Sequence, residues 1–211
     1  MSRPALTLAL AAGLLTATAA NAQFPARYVA GEHYTALESA APTQAEADQV
    51  AVIEFFVYGC SHCYEFDPMV TEWANELADD VTFRRVPATF GQAGPVYARV
   101  FYTAKALDLG QAFHEAFFDG IHQAGRRLVA TDEIRAFFVE QGVAGETFDK
   151  TFNSEAIDER VANATRLMQA YGVTAVPSLG VAGRFWTNPR QTGGYEPMLN
   201  VADFLIDRAR D

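Results

Sequence analysis

Apolar residues run almost unbroken through positions 49–59, QVAVIEFFVYG, with Val, Ile and Phe dominant. Such a run predicts a central strand buried on both faces. It breaks at Gly59. Beyond it Phe66, Met69, Val70, Trp73 and Leu77 recur at helical spacing, so a helix follows, and Pro68 is expected to kink it near its second turn. Positions 81–90, VTFRRVPATF, predict a second strand after a turn at Asp79 and Asp80. The middle of the chain reads as helical. Gly94 and Pro95 open a pattern of Val96, Val100, Phe101, Ala104 and Leu107. QAFHEAFFDG follows, then TDEIRAFFVEQG, with Thr131 as expected N-cap and Gly142 as stop. A long helix from Ser154 to Gly172 carries Ile157, Val161, Ala164, Leu167 and Tyr171. Two strands with a turn at Ala182 and Gly183 occupy 176–187, and a last helix covers about 197–210. The order is strand, helix, strand, helical block, hairpin, helix. That is an α/β core interrupted by a helical insertion.

The first 22 residues change the picture of where the chain works. Arg3 precedes the apolar stretch ALTLALAAGLL, and ANA at 20–22 fits a signal-peptidase site. The stretch is too short to be an ordinary membrane anchor. The expected product is exported and starts at Gln23, long enough to bury a core without disulfide support. The formal net charge of −10 argues against nucleic acid or an anionic lipid surface as the main partner. The Asn-Ala-Thr sequon at Asn163 falls inside a predicted helix and is read as chance.

Export puts the chain where disulfides persist. It nevertheless has only two cysteines, Cys60 and Cys63, in VYGCSHCYEF. A staple across so short a loop removes little unfolded-state entropy. A zinc site would want further ligands, and His33, His114 and His122 show no ligand spacing. No metal or other cofactor is expected. A redox pair is the remaining chemistry. Cys60, at the strand-to-helix junction, faces the unsatisfied N–H groups of a helix start, which favour a thiolate. Cys63, one turn on, should be more buried and act as the resolving sulfur. A protonated His62 beside the sulfur would lower its pKa further. Stabilising the thiolate stabilises the reduced form and makes the disulfide a stronger oxidant. Glu54 interrupts the apolar strand six residues before Cys60. It is either buried beneath the pair, exchanging protons with Cys63, or turned outward at a sheet edge. Pro177 opens a strand, the strand position that suits proline, and a cis Val176–Pro177 bond would expose backbone polar groups of Val176.

Taken together, GEHYTALE, IEFFVYGCSHCYEF, the helical block, GVTAVPSLGVAGRF and Asn188-Pro189 resemble the thioredoxin superfamily, and within it the DsbA-type exported thiol oxidases. The resemblance spans nearly all of the chain after the leader. It implies a thioredoxin fold with an inserted helical domain, divided as 1–22 signal peptide, 23–92 first part of the thioredoxin-like domain, 93–170 helical insertion and 171–211 second part. It implies Cys60 as the reactive cysteine, Cys63 as its buried partner, His62 as thiolate stabiliser, Glu54 as the buried acid, and Val176 with Pro177 as a cis-proline loop that pairs with substrate backbone. Ser61 departs from the proline found there in many DsbA proteins, so it is a candidate for tuning the redox potential. Pro68 is a second departure and resembles the proline kink of thioredoxin.

The expected function is that of a periplasmic dithiol oxidase. It would donate the Cys60–Cys63 disulfide to exported proteins that carry free cysteines, through a mixed disulfide. A DsbB-like, quinone-linked membrane protein would reoxidise it, and the enzyme itself would act as a monomer. A reductase or isomerase is the second enzymatic reading. Family isomerases usually add an N-terminal dimerisation domain, for which there is no room here. A non-catalytic thioredoxin-fold binding module is the third reading, against which the intact C-x-H-C and Val-Pro argue.

Overall fold

The computed structural model describes residues 27–46 and 48–210. The leader and its cleavage site lie outside the described residues. A five-stranded mixed sheet carries the fold, in the order β1 (Thr35–Ala36), β5 (Phe185–Thr187), β4 (Ser178–Val181), β2 (Val50–Phe56), β3 (Val81–Pro87). All seven residues of β2 are buried, as its unbroken apolar run requires. It pairs parallel to β3 and antiparallel to β4. The strand stops at Phe56, earlier than its hydrophobicity suggests, and Val57 to Gly59 turn the chain instead. Gly59 is needed there, because a Cβ at that position would lie 2.9 Å from the Tyr97 ring.

Helix α1 (Ser61–Asn75) crosses from β2 to β3 and continues through Pro68, which is exposed. It shares one face of the sheet with the last helix, α8 (Tyr195–Arg210), around Val52, Phe66, Val70, Leu179 and Leu205. The other face, built on Ile53, Phe55 and Val86, is covered by Ala164, Leu167 and Met168 of α6 (Glu155–Ala170). Between β3 and β4 the chain forms α2 (Gly94–Ala106), α3 (Gly110–His122), α4 (Thr131–Glu140), α5 (Gly145–Phe152) and then α6. Their core is aromatic, with Phe113, Phe117, Phe118, Phe137, Phe138 and Phe148 packed together, and it reaches Phe56, Tyr58 and Cys63. The insertion is thus continuous with the C-x-x-C end of the sheet.

Three short elements, β1, α5 and α7 (Pro189–Thr192), were not foreseen from hydrophobic spacing, which is uninformative over two to eight residues. The α4 N-cap is Ala130, not Thr131, and the Glu133 carboxylate accepts from the Ala130 N–H at 3.3 Å. The hairpin turn lies at Ala182 and Gly183, both with positive φ (53° and 65°), the geometry of a two-residue hairpin loop.

Candidate active site

Cys60 is the N-cap of α1, with extended backbone (φ −96°, ψ 115°), and Cys63 is one turn inside the helix. Both are free thiols, Cys60 half-exposed and Cys63 with no exposure. The environment separates the two sulfurs. Cys60 is drawn down to about 6, chiefly by the hydrogen bond that the Cys63 thiol donates to it. Burial works against this. The backbone N–H groups of Cys63 and His62, and then the charge of His62, add to the lowering. Cys63 is pushed far up, first by burial, then by donating that hydrogen bond and by the neighbouring thiolate. At neutral pH the pair is one thiolate outside and one thiol inside, the arrangement that makes a cysteine at a helix start nucleophilic.

The Val176–Pro177 peptide bond is cis, and the Val176 carbonyl lies 3.8 Å from Cys60 Sγ, accepting from it only while Cys60 is protonated. Pro177 is buried while Val176 remains partly open. His62 stands exposed at the helix start. Its Nδ1 lies 3.1 Å from Tyr195 Oη and 3.4 Å from Glu65 Oε2, and the Tyr195 hydroxyl donates to that same carboxylate at 3.0 Å. The imidazole therefore ties the site to the start of α8, and its direct help to the Cys60 thiolate ranks behind Cys63 and the helix N–H groups. Ser61 is exposed and its hydroxyl makes no hydrogen bond among the described residues.

Glu54 is 1% exposed in the central strand and is not turned outward at an edge. Its charge is felt at Cys63, whose thiol it pushes further up. Parallel pairing sets Arg85 directly opposite, and Arg85 Nε donates to Glu54 Oε2 at 2.9 Å. Along α1, Cys63, Asp67 and Thr71 fall on one stripe four residues apart. Asp67 Oδ1 lies 2.9 Å from Arg85 Nη2, and the Thr71 hydroxyl accepts from Arg85 at 2.6 Å. His114 of α3 reaches Asp67 at 3.0 Å with Nε2 and Tyr58 Oη at 2.8 Å with Nδ1. Two carboxylates thus share one guanidinium. Burial alone would raise Asp67, but the His114 hydrogen bond and the Arg85 charge outweigh it and keep it ionised. Glu54 yields: burial outweighs Arg85 and lifts it to about 7. Burial also holds His114 below its ordinary value, as a neutral imidazole that donates from Nε2 to Asp67 and accepts the Tyr58 hydroxyl at Nδ1. A carboxylic acid poised near neutrality suits proton exchange.

A family model described as a DSBA-like thioredoxin domain matches residues 87–194, and a thioredoxin model matches residues 37–100. The thiol:disulfide interchange protein DsbA of Azotobacter vinelandii is 35% identical over 193 residues, 92% of this chain and 90% of the relative. That of Pseudomonas aeruginosa is 37% identical over 205 residues, 97% of this chain and 95% of the relative. The crystal structure of Pseudomonas aeruginosa DsbA superposes with a TM-score of 0.83 at 37% identity, covering 87% of this chain and 95% of that one. The chain belongs to the DsbA family. It is a thiol:disulfide oxidoreductase with the thioredoxin fold and the helical insertion of DsbA proteins.

In this DsbA-family chain, Cys60 and Val176 meet where α1 begins, with Cys63 one turn inside the helix and Pro177 next along the chain, and the charge of Glu54 reaches Cys63. Ser61 and His62 sit on the exposed rim. Arg85, Asp67, His114, Tyr58 and Tyr195 were not singled out from sequence. Two signals were present: Asp67 lies one turn beyond Cys63, and Arg84-Arg85 interrupts a strand that is otherwise largely apolar. Nothing in the sequence marks His114 or Tyr195 as neighbours of residues some fifty and a hundred and thirty positions away.

Proposed function

We propose that this chain is an exported, periplasmic dithiol oxidase that donates the Cys60–Cys63 disulfide to exported proteins carrying free cysteines. The observation that carries the direction is the separation of the two sulfurs, with Cys60 near 6 and Cys63 far above the ordinary thiol range. A client thiolate attacks Cys60 Sγ. The Cys60–Cys63 bond breaks, a client–Cys60 disulfide forms, and the electron pair leaves on Cys63, which takes a proton. Glu54 is the donor, since at about 7 it still holds a proton much of the time. A second client thiolate then attacks the client sulfur. Cys60 departs as a thiolate, the better leaving group for its low pKa, and the client keeps the new disulfide. The Val176 carbonyl is the backbone acceptor for a client strand lying across the pair. His62 and Ser61 adjust the potential from the rim. A DsbB-like, quinone-linked membrane protein removes the two electrons, and the enzyme works as a monomer.

A glutathione redox titration of the Cys60/Cys63 couple at several pH values, with thiolate absorbance followed in parallel, tests this. The folded pKa of Cys60 is depressed, so its stabilisation of the reduced form is present at high pH and lost as pH falls through about 6. Two protons accompany reduction below that pH and one above it. The potential should therefore fall by about 59 mV per pH unit in acid and about 30 mV per unit above the break. A thioredoxin-like potential with one steep slope through neutrality would sink the oxidase assignment.

Glu54→Gln isolates the proton step. It should slow client oxidation severalfold in stopped-flow traces and flatten the pH dependence near 7. The Cys60 thiolate absorbance should still titrate near 6. An unchanged pH–rate profile would remove Glu54 from the mechanism.

A further inference from the structure

The chain carries 26 acidic and 16 basic side chains, yet five of the basic ones converge on a single cleft of about 590 Å3. These are Arg84 and Arg85 of β3, Lys105 of α2, and Arg160 and Arg166 of α6, and no Asp or Glu is among the described residues that line it. Neither cysteine lines it. Arg85 is already engaged by Glu54 and Asp67. The other four form no ion pair among the described residues, although exposed arginines elsewhere do, such as Arg126 with Glu140 and Arg210 with Asp80.

Arg84 is the most telling of them. It is half-buried, donates one hydrogen bond to the Thr43 carbonyl at 3.2 Å, and keeps a buried Nε with no partner among the described residues. A buried guanidinium N–H left unmade is costly. Burial lowers Arg84, and Lys105 is lowered first by burial and then by the charges of Arg160 and Arg84. These groups repel one another across a cleft without a counter-charge. Ordinary solvated cations on a helix face would not include a half-buried arginine or be drawn from three separate elements.

We infer that this cleft is a binding site for a small molecule bearing phosphate. The volume lies in the range of small-ligand sites. Three guanidinium groups and one ammonium suit an anion of more than one charge, and planar guanidinium forks match phosphate oxygens in pairs. Gln44 adds an uncharged hydrogen-bonding group, Asn163 Oδ1 accepts from the Arg166 guanidinium, and Tyr102 and Leu167 offer apolar surface for the organic part of the ligand.

The test uses the mature chain labelled with 15N and titrated with pyrophosphate at ionic strength held constant by sodium chloride. Saturable shifts are expected at Arg84, Lys105, Arg160 and Arg166. The double variant Arg160→Gln/Arg166→Gln should weaken binding at least tenfold, and Lys105→Gln should weaken it by a smaller factor. All three positions are exposed, so the variants should fold, and Cys60 should titrate as before. A soluble sugar phosphate and vesicles of phosphatidylglycerol separate the two sources of the group. Binding of either that the double variant loses supports the site and names its source. Shifts that do not saturate, that sodium chloride alone reproduces, or that survive the double substitution would overturn the proposal, as would tighter binding of polyglutamate than of pyrophosphate.

Discussion

Cys63→Ser should convert a transient intermediate into an isolable one. Expressed with its leader, this variant keeps a lone Cys60 thiolate that attacks disulfides already present in client proteins, expels one client sulfur as a thiolate and leaves a Cys60–client mixed disulfide, seen as high-mass bands on non-reducing gels that dithiothreitol removes. The yield should exceed that of the unaltered chain at least tenfold, because the sulfur that would displace the client is gone. Cys60→Ser should give no such bands, and neither variant should oxidise a client above background. The asymmetry is physical. Cys60 is half-exposed at the start of α1 and largely thiolate at neutral pH, whereas Cys63 has no exposure and its thiol is pushed far up by burial. A buried, protonated sulfur does not meet a client directly; it acts only on the disulfide that the neighbouring Cys60 already carries. Mass spectrometry of the trapped species locates the bond. Comparable adducts on Cys63 in Cys60→Ser would reverse the assignment of the two sulfurs.

Arg85→Met should be the most damaging substitution away from the cysteines. Methionine keeps much of the volume but removes the cation that Glu54 and Asp67 share. Breaking a buried ion cluster by deleting one partner costs about 3–5 kcal/mol. At about 2–4 °C per kcal/mol for a chain of this size, the melting temperature should drop by roughly 6–20 °C at pH 8. The pH dependence carries the sharper information. In the unaltered chain Asp67 is depressed, so its contribution is present at neutral pH and lost in acid. Without Arg85 both carboxylates are raised, the protonated forms are favoured, and stability is held in acid and lost as pH rises. The deficit should therefore be small near pH 4 and grow towards pH 8 in denaturant melts. A deficit of the same size at every pH would mean that the guanidinium matters only as packing.

The cysteine pair and its polarity were legible in sequence because they depend on local structure. A buried strand that ends in Gly59 and a helix that begins at Ser61 place Cys60 against the helix N–H groups whatever the rest of the chain does. Pro177 was legible as a strand-opening proline, but its place opposite the cysteines came only through resemblance, since spacing cannot say which segment faces them. His62 shows the limit of reading by position. Sequence puts it beside Cys60, but its ring turns to Tyr195 and Glu65, across from a helix that begins 133 residues later. Glu54 was recognised as anomalous, while the reason it can be tolerated, Arg85 in parallel register, is a property of strand pairing.

Sequence by itself therefore determined the α/β order, the helical insertion, the redox pair, and which sulfur is outer and which is inner. These follow from hydrophobic period and from chemistry within one helical turn. Only the tertiary structure decided how the protons are held. Asp67, Arg85, His114 and Tyr58 come from a helix, a strand, a second helix and a turn, and they meet because the sheet and the aromatic core of the insertion close over them. The same closure brings Arg84, Lys105, Arg160 and Arg166 to the lining of one cleft. A pKa or a binding cleft depends on distances between segments, and no period along the chain encodes those distances.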